Sequence, residues 1–228
     1  CEMTKRLLDV VLSSVALIAL APVLAVAALG IRLSSRGPVL YRARLVGLCG
    51  RRFVMYKLRT MHVDHGALKS IITAERDPRV FAFGRLLRRF KIDELPQLVN
   101  VVRGEMSLVG PRPQHPDIVR RHYARLHWET LRVRPGLTSP GSLYDSASGE
   151  AIIGSDDPER AYAERLLPIV LALDLVYLKR ASLRYDLAII GRTIAYILAS
   201  MVGRRTFADP PEMPDALELL HAPEAALP

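Results

Sequence analysis

The stretch Lys91-Ile92-Asp93-Glu94-Leu95-Pro96-Gln97 is the most chemically specific in the chain. Two adjacent carboxylates ahead of a helical run have an ordinary structural use. Asp93 suits a helix N-cap, Glu94 suits a first turn, and Pro96 is tolerated where N–H groups have no intrahelical partner. The same placement has a chemical use. A carboxylate at a helix N-terminus is expected to be held ionised by the dipole and the backbone N–H groups. Ionised and fixed, it can attack phosphorus as a nucleophile. Its neighbour points elsewhere and can hold a hard cation such as Mg²⁺. Cations that could take phosphate oxygens are present. Arg85, Arg88 and Arg89 fall at helical spacing on roughly one face. Lys57 and Arg59, two apart on a strand, share one side. Arg112 sits in the proline-stiffened loop Gly110-Pro111-Arg112-Pro113. Any one of these reads as solvated or lipid-facing basic surface. Together with the acidic pair they fit attack on a diphosphate.

Other candidates are weaker. His62, Asp64 and His65 could imitate a metal cluster but read as a solvated polar loop. His122 and His127 are five apart, which does not put them on one helix face. Ser13 and Ser14, within an apolar run, read as packing or backbone-bonding residues. The chain shows no Gly-rich phosphate loop and no dinucleotide fingerprint.

The elements that must position these groups follow from pattern. Residues 7–31 are apolar except for Asp9, Ser13 and Ser14, long enough for a bilayer, where roughly 20 apolar residues are needed. Lys5 and Arg6 precede the run; Arg32, Arg36, Arg42 and Arg44 follow it, so both ends favour the cytoplasmic side. Pro22 lies near its middle, where it removes a backbone hydrogen bond. A helix that enters, breaks around Ala21-Pro22 and returns fits these facts; so does a straight spanning helix with a tolerated proline. The run is too long for a signal peptide and no clear cleavage site follows. Residues 39–45 and 51–58 read as a β-hairpin with Gly47 and Gly50 in its connection. Residues 64–77 read as polar loop with a short helix. Val80–Phe90 reads as a basic amphipathic helix and Asp93–Arg103 as a second, stopped by Gly104. Residues 117–132 read as one helix carrying Trp128, and 134–149, rich in Gly, Ser and Pro, as loop. Residues 157–179 and 183–201 read as helices with apolar faces. The tail from Thr206 has no Lys or Arg, five prolines and five acidic residues, and reads as mobile or lightly docked.

Composition narrows the class. Half of the 228 residues are hydrophobic, yet the formal net charge is +9. Mean hydropathy is +0.17 and the pI about 9.9. Apolar and basic together point to anionic lipid or polyanions. Aromatic residues make up 6%, thin for stacking on bases, and basic residues alternate with the acidic pair instead of forming a stripe, so nucleic acid is not the expected partner. Cys1 and Cys49 form no framework, which points to a reducing compartment without a structural disulfide.

The motifs, in order, resemble a known family. Lys5-Arg6-x-x-Asp9, Gly37-Pro38-Val39-x-Tyr41, Tyr56-Lys57-x-Arg59-Thr60-Met61, Asp77-Pro78-Arg79-Val80 and Gly84-Arg85-x-x-Arg88 come first. Asp93-Glu94-Leu95-Pro96-Gln97-Leu98-x-Asn100, residues 104–113 (GEMSLVGPRP) and Arg134-Pro135-Gly136-Leu137-Thr138 complete the series. This closely resembles the bacterial sugar transferases, small monotopic phosphoglycosyl transferases, over about residues 4–200. The resemblance implies that Asp93 takes a phosphosugar from a UDP-sugar, releasing UMP. It implies that Glu94 binds Mg²⁺, and that the covalent intermediate passes its load to polyprenyl (undecaprenyl) phosphate in a ping-pong scheme. It further implies that Lys57 and Arg88 hold phosphate oxygens and that Arg112 meets the uridine or its phosphate, with Arg59, Arg85 and Gln97 also at the substrate. It favours the re-entrant helix, broken here at Ala21-Pro22 where the family has Ser-Pro. It places the chain in the bacterial inner (cytoplasmic) membrane with the site facing the cytoplasm, at the first membrane step of glycoconjugate biosynthesis.

After Thr138 this chain departs from the family: residues 138–145 (TSPGSLYD) form a loop that could line the sugar pocket, so sugar identity does not carry over. Asp157, Tyr162, Asp174, Tyr177, Ser182 and Asp186 resemble the family's C-terminal pattern and read first as caps and helix–helix contacts. Two other functional classes compete: a membrane-bound UDP-sugar phosphohydrolase using the same Asp93, and a non-enzymatic basic anchor. The expected architecture is α+β and mainly helical. A re-entrant membrane helix spans 1–36. A catalytic domain over 37–205 carries a small β-hairpin and interfacial amphipathic helices on an anionic bilayer. An acidic, Pro-rich tail covers 206–228. The absence of further N-terminal membrane helices suggests the minimal catalytic unit, and a homo-oligomer is compatible with every reading.

Overall fold

The computed structural model describes residues 2–63, 77–154, 157–204 and 206–221. Asp64, His65, most of the loop expected over 64–77, and the tail beyond residue 221 lie outside the described residues.

Two helices open the chain, α1 (Glu2–Ala19) and α2 (Ala21–Ser34). No single described helix is long and apolar enough to cross a membrane, but this pair passes by length and composition and is bent by 59°. The bend falls at Leu20, with Pro22 in the first turn of α2. Met3, Leu7, Val11, Val15 and Ile18 are exposed along α1, and Val23, Val26, Leu29 and Leu33 along α2. The opposite face of α1 carries the Lys5-Arg6-x-x-Asp9 motif, and the structure explains it as a staple. Arg6 donates to the Val101 and Val102 carbonyls at 2.6 and 2.9 Å. Both are carbonyls of the last turn of α4 (Gln97–Arg103); Val101 O also accepts the Gly104 N–H at 3.0 Å, and Arg6 adds a cation at this negative end of the helix. Asp9 accepts from the Ser107 hydroxyl at 2.7 Å and the Leu108 N–H at 3.1 Å. Lys5 donates to Val109 O and pairs with Asp186.

The hairpin forms as expected, β1 (Leu40–Val46) antiparallel to β2 (Arg52–Leu58), in the register Leu40↔Leu58 to Val46↔Arg52. Its connection uses Cys49 and Gly50 at φ of 54° and 74°. Asn100 of α4 locks β2 from its free edge. Its amide oxygen accepts the Tyr56 N–H at 3.1 Å and its amide nitrogen donates to Val54 O at 2.7 Å, as a further strand would. Helix α3 (Ala82–Arg89) approaches the end of β2 so closely that a Cβ on Gly84 would stand 2.3 Å from Thr60 O. Asp77 binds the Arg79 guanidinium and so holds the chain's return to β2, where Met61 bridges Val80.

A second, parallel pair joins β3 (Ser107–Val109) to β4 (Gly136–Thr138), which pattern did not suggest. It explains why two motifs each carry glycine. A Cβ on Gly136 would lie 2.1 Å from the Gly110 nitrogen, so neither backbone tolerates a side chain there. Between the two strands, the single helix expected over 117–132 is broken. Helix α5 (Pro116–His122) ends at extended Tyr123, and a 3₁₀ segment follows over Arg125–Arg132. The break lets the Tyr123 ring pack edge-on against His127 and Trp128.

Most of residues 134–149 is not loop: 136–138 form β4 and a helix starts at Pro140. Helix α6 (Pro140–Ile153) begins where Ser139 Oγ accepts the Ser142 N–H at 2.8 Å, with Pro140 in the first position. Helices α7 (Pro158–Ala161) and α8 (Leu167–Arg180) are continuous through one π turn, and α9 (Leu183–Met201) follows. Helix α8 is the core, buried from Val170 through Tyr177, with α6 packed against it. Of the two readings of the tail, mobile or lightly docked, its described part takes the second. Residues 206–221 are docked: α10 (Met213–His221) buries Met213 and Ala216 against α8, and buried Glu212 accepts both Arg192 Nη groups at 2.9 and 2.7 Å.

Candidate active site

The acidic pair lies between α3 and α4, on a single 3₁₀ turn over Ile92–Glu94. Lys91 precedes it with φ 56°, the left-handed region. Asp93 is therefore not the N-cap expected of it. Pro96 has no N–H to continue a helical ladder, so α4 starts only at Gln97. The carboxylate that was to be held ionised by helix N–H groups is instead buried, 7% exposed, and among the described residues its Oδ1 has no hydrogen-bond partner. Burial and the adjacent Glu94 push its pKa above the ordinary value, while Lys57, Lys91 and Arg88 pull against them.

Glu94 is the opposite case. Burial would raise its pKa, but Lys57, Lys91 and Arg112 outweigh burial and hold it well below the usual carboxylate range. Lys57 Nζ donates to Glu94 Oε1 at 3.0 Å. Lys57 stands on β2, Lys91 at the entry to the 3₁₀ turn, Arg88 on α3 and Arg112 in the Gly110–Pro113 loop, so four elements each bring one cation. Burial lowers the Lys91 ammonium, but Glu94 and Asp93 reverse that and leave it raised. Arg88 is half-buried and aimed by one hydrogen bond, Nε to Thr60 Oγ1 at 2.9 Å. Two neighbouring carboxylates thus have pKa values driven apart: one fixed as an anion, the other raised and carrying an unsatisfied oxygen. Such divergence is how a site assigns different roles to chemically identical groups.

Two expected phosphate ligands are held elsewhere. The Arg59 guanidinium donates to Ser35 Oγ at 2.7 Å, Ser35 O at 2.8 Å and Met61 O at 3.2 Å, tying the end of α2 to the hairpin. Its Nε donates to Pro38 O as well, so all three of its nitrogens meet protein acceptors. Arg85 is exposed and bonded to Val80 O at 2.9 Å. Gln97 is buried, 4% exposed, in the first turn of α4. Arg112 is oriented twice, its N–H donating to Asp174 Oδ2 at 2.8 Å and its Nη2 pairing with Asp145 Oδ2 at 2.9 Å. Sequence reasoning gave no role to Lys91, and placed Asp145 only in a stretch that could line the sugar pocket. A lysine directly ahead of an acidic pair was the available signal for the first. The second was hidden in a stretch read as loop.

Of the suggested metal groups, His62 contacts Ser35 Oγ at 3.2 Å and stacks edge-on against Phe81. Among the described residues no three His, Cys, Asp or Glu side chains gather around one point. Glu94 does fit a hard cation that brings other ligands with it. It has a second oxygen besides that bonded to Lys57. Mg²⁺ is typically held by one or two carboxylates, waters and substrate phosphates. The remaining C-terminal residues behave as caps and contacts: Asp157 and Ser182 cap α7 and α9, Tyr177 donates to Asp186 at 2.8 Å, and Tyr162 to Gln114 at 2.7 Å.

Comparison with known proteins gives a consistent picture. The family model described as bacterial sugar transferase matches residues 1–200. An undecaprenyl-phosphate glucose phosphotransferase of Komagataeibacter xylinus is 40% identical over 198 residues, covering 83% of this chain and 35% of the relative. A UDP-glucose:undecaprenyl-phosphate glucose-1-phosphate transferase of Caulobacter vibrioides is 39% identical over 202 residues, 87% of this chain and 71% of the relative. The exopolysaccharide production protein ExoY of Sinorhizobium fredii is 35% identical over 212 residues, 86% of each. The chain spans little more than a third of the Komagataeibacter relative and of a similar Xanthomonas campestris glucose-1-phosphate transferase, 35% and 38% of their lengths.

Proposed function

Because this chain belongs to the bacterial sugar transferase family, we propose that it moves a sugar 1-phosphate from a UDP-sugar to undecaprenyl phosphate, with release of UMP. The observation that carries the reading is the buried Asp93 oxygen, unpartnered among the described residues and set among Lys57, Lys91 and Arg88. In the first half-reaction Asp93 Oδ1 attacks the phosphorus that bears the sugar. The new bond is carboxylate oxygen to phosphorus; the bond broken joins that phosphorus to the bridging oxygen, which leaves on UMP. In the second half-reaction a phosphate oxygen of the lipid attacks the same phosphorus and Asp93 leaves as a carboxylate. No proton transfer is needed in either step, which suits a site whose other ionisable groups are held as fixed charges. Lys57, Lys91 and Arg88 orient and neutralise the phosphate oxygens. When bound by Glu94 and the donor, Mg²⁺ would add charge neutralisation on the diphosphate. Arg112 takes the nucleotide side. Relatives named for transfer from UDP-glucose support this donor class.

The test is exchange of labelled UMP into a panel of UDP-sugars by the lipid-solubilised protein with Mg²⁺ and no acceptor. Exchange, and a lipid-linked sugar diphosphate once undecaprenyl phosphate is added, is the expected result. Steady UMP release without lipid would instead mark a phosphohydrolase.

We extend the proposal to the membrane. The bent pair α1–α2 would sit in one leaflet of the cytoplasmic membrane with the active site on the cytoplasmic side. The exposed apolar stripes along both helices support this. Single cysteines placed before Leu7 and after Leu33 should both react with a membrane-impermeant maleimide from the cytoplasmic side only. Labelling of the two from opposite sides would rule the seating out.

A further inference from the structure

Arg112 is fastened at two levels. Its backbone N–H donates to Asp174, and the same buried carboxylate accepts the Gly141 N–H at 3.3 Å. The Gly110–Pro113 loop and the start of α6 are thus joined whatever the Arg112 side chain does. The guanidinium pairs separately with Asp145, the two side chains being 29% and 16% exposed. The other Asp145 oxygen folds back along α6 over Gly149, where an added Cβ would stand 2.7 Å away. The missing side chain at Gly149 makes room for this carboxylate orientation. Asp145 is the foremost influence on Arg112, and Glu94 acts on it as well.

We propose that Asp145 is a resident counter-anion, which keeps Arg112 paired while the site is empty of donor and must yield it to a nucleotide phosphate, so that Asp145 limits nucleotide affinity. This rests on the reading of Arg112 as a donor-binding residue. An arginine already shared with a carboxylate has fewer N–H groups to offer, and the carboxylate repels an incoming phosphate. Because the pair is partly exposed, the exchange is inexpensive. The fold survives it, since Asp174 holds the backbone. The consequence for turnover is a product that leaves readily.

UMP binding to the full chain in detergent, followed by calorimetry, tests this. Asp145→Asn keeps size and one accepting oxygen but removes the charge. It should tighten UMP binding about five-fold, the effect of one screened charge near a phosphate. Gly149→Ala, which displaces the carboxylate without removing it, should act in the same direction. In an Arg112→Gln background, Asp145→Asn should lose most of that gain and keep only the relief of direct repulsion. If the wild-type chain binds UMP and Asp145→Asn binds it equally or more weakly, the counter-anion role is wrong and the transferase reading stands. If the wild-type chain binds no UMP, both fall.

Discussion

Asp93→Asn should abolish UMP exchange and lipid-linked product, a loss of about 10⁴-fold or more as expected for removal of a nucleophile. The amide fits the same space but cannot form the bond to phosphorus. The fold should not suffer, and this separates a catalytic loss from a structural one. The Asp93 pKa is raised on folding, by burial first and Glu94 second. A group raised in this way favours the folded state below its unfolded pKa, and that contribution is lost as pH rises through the folded pKa. At neutral pH the Asp93 carboxylate is therefore a burden on stability. The Asp93→Asn variant should melt at the same temperature as the parent or higher near pH 7, with the difference shrinking below the ordinary carboxylate range. A variant that is inactive and no less stable would mark Asp93 as a residue kept for chemistry. Retained exchange would return it to the status of a buried turn residue.

Glu94→Gln should cost about 10²- to 10³-fold in exchange, since it removes a fixed charge beside the reacting phosphate and one carboxylate of the cation site. Its more telling effect is on pH dependence. The attacking group must be ionised, so exchange by the parent should fall on the acid side as Asp93 takes up a proton, at a higher pH than for an ordinary aspartate. Glu94 itself is held far below the usual carboxylate range and does not titrate there. Removing its charge leaves Lys57, Lys91 and Arg88 to act on Asp93 alone, so the acid limb of the residual activity should move to lower pH. A pH–rate profile of the half-reaction reads this directly. An unmoved limb would show that Glu94 does not tune Asp93.

The hairpin and α9 were legible in sequence because their signals are local: alternating strands around two glycines, and an apolar helix led by Ser182. The acidic pair with Lys57, Arg88 and Arg112 was also legible from residue type and order, but Lys91 was not singled out. What failed were inferences that needed tertiary context. Asp93 has the right type and place for an N-cap, yet left-handed Lys91 and Pro96 turn the segment into one 3₁₀ turn, and burial reverses the direction of its pKa. Helix α6 was hidden by Gly141, Ser142 and Gly149, poor helix formers that packing against α8 overrides, although Ser139-Pro140 was a readable start. Arg59 was assigned by its spacing from Lys57, but Ser35 and Met61 claim its donors. The acidic, proline-rich composition past Thr206 concealed a docked helix because composition cannot register that Glu212 meets Arg192.

The staple on α1 also sets an order of assembly. Arg6 finds its partners 95 and 96 residues further along the chain, Asp9 at 98 and 99, and Lys5 reaches Asp186 across 181. At the roughly 5–20 residues per second of translation, Asp186 emerges about 10–40 s after Lys5. Arg6 and Asp9 can find their partners about halfway through that interval, whereas Lys5 lacks its carboxylate until the end of it. A helix made well ahead of α9 thus waits for it, and the Lys5 contact closes only when Asp186 has left the ribosome.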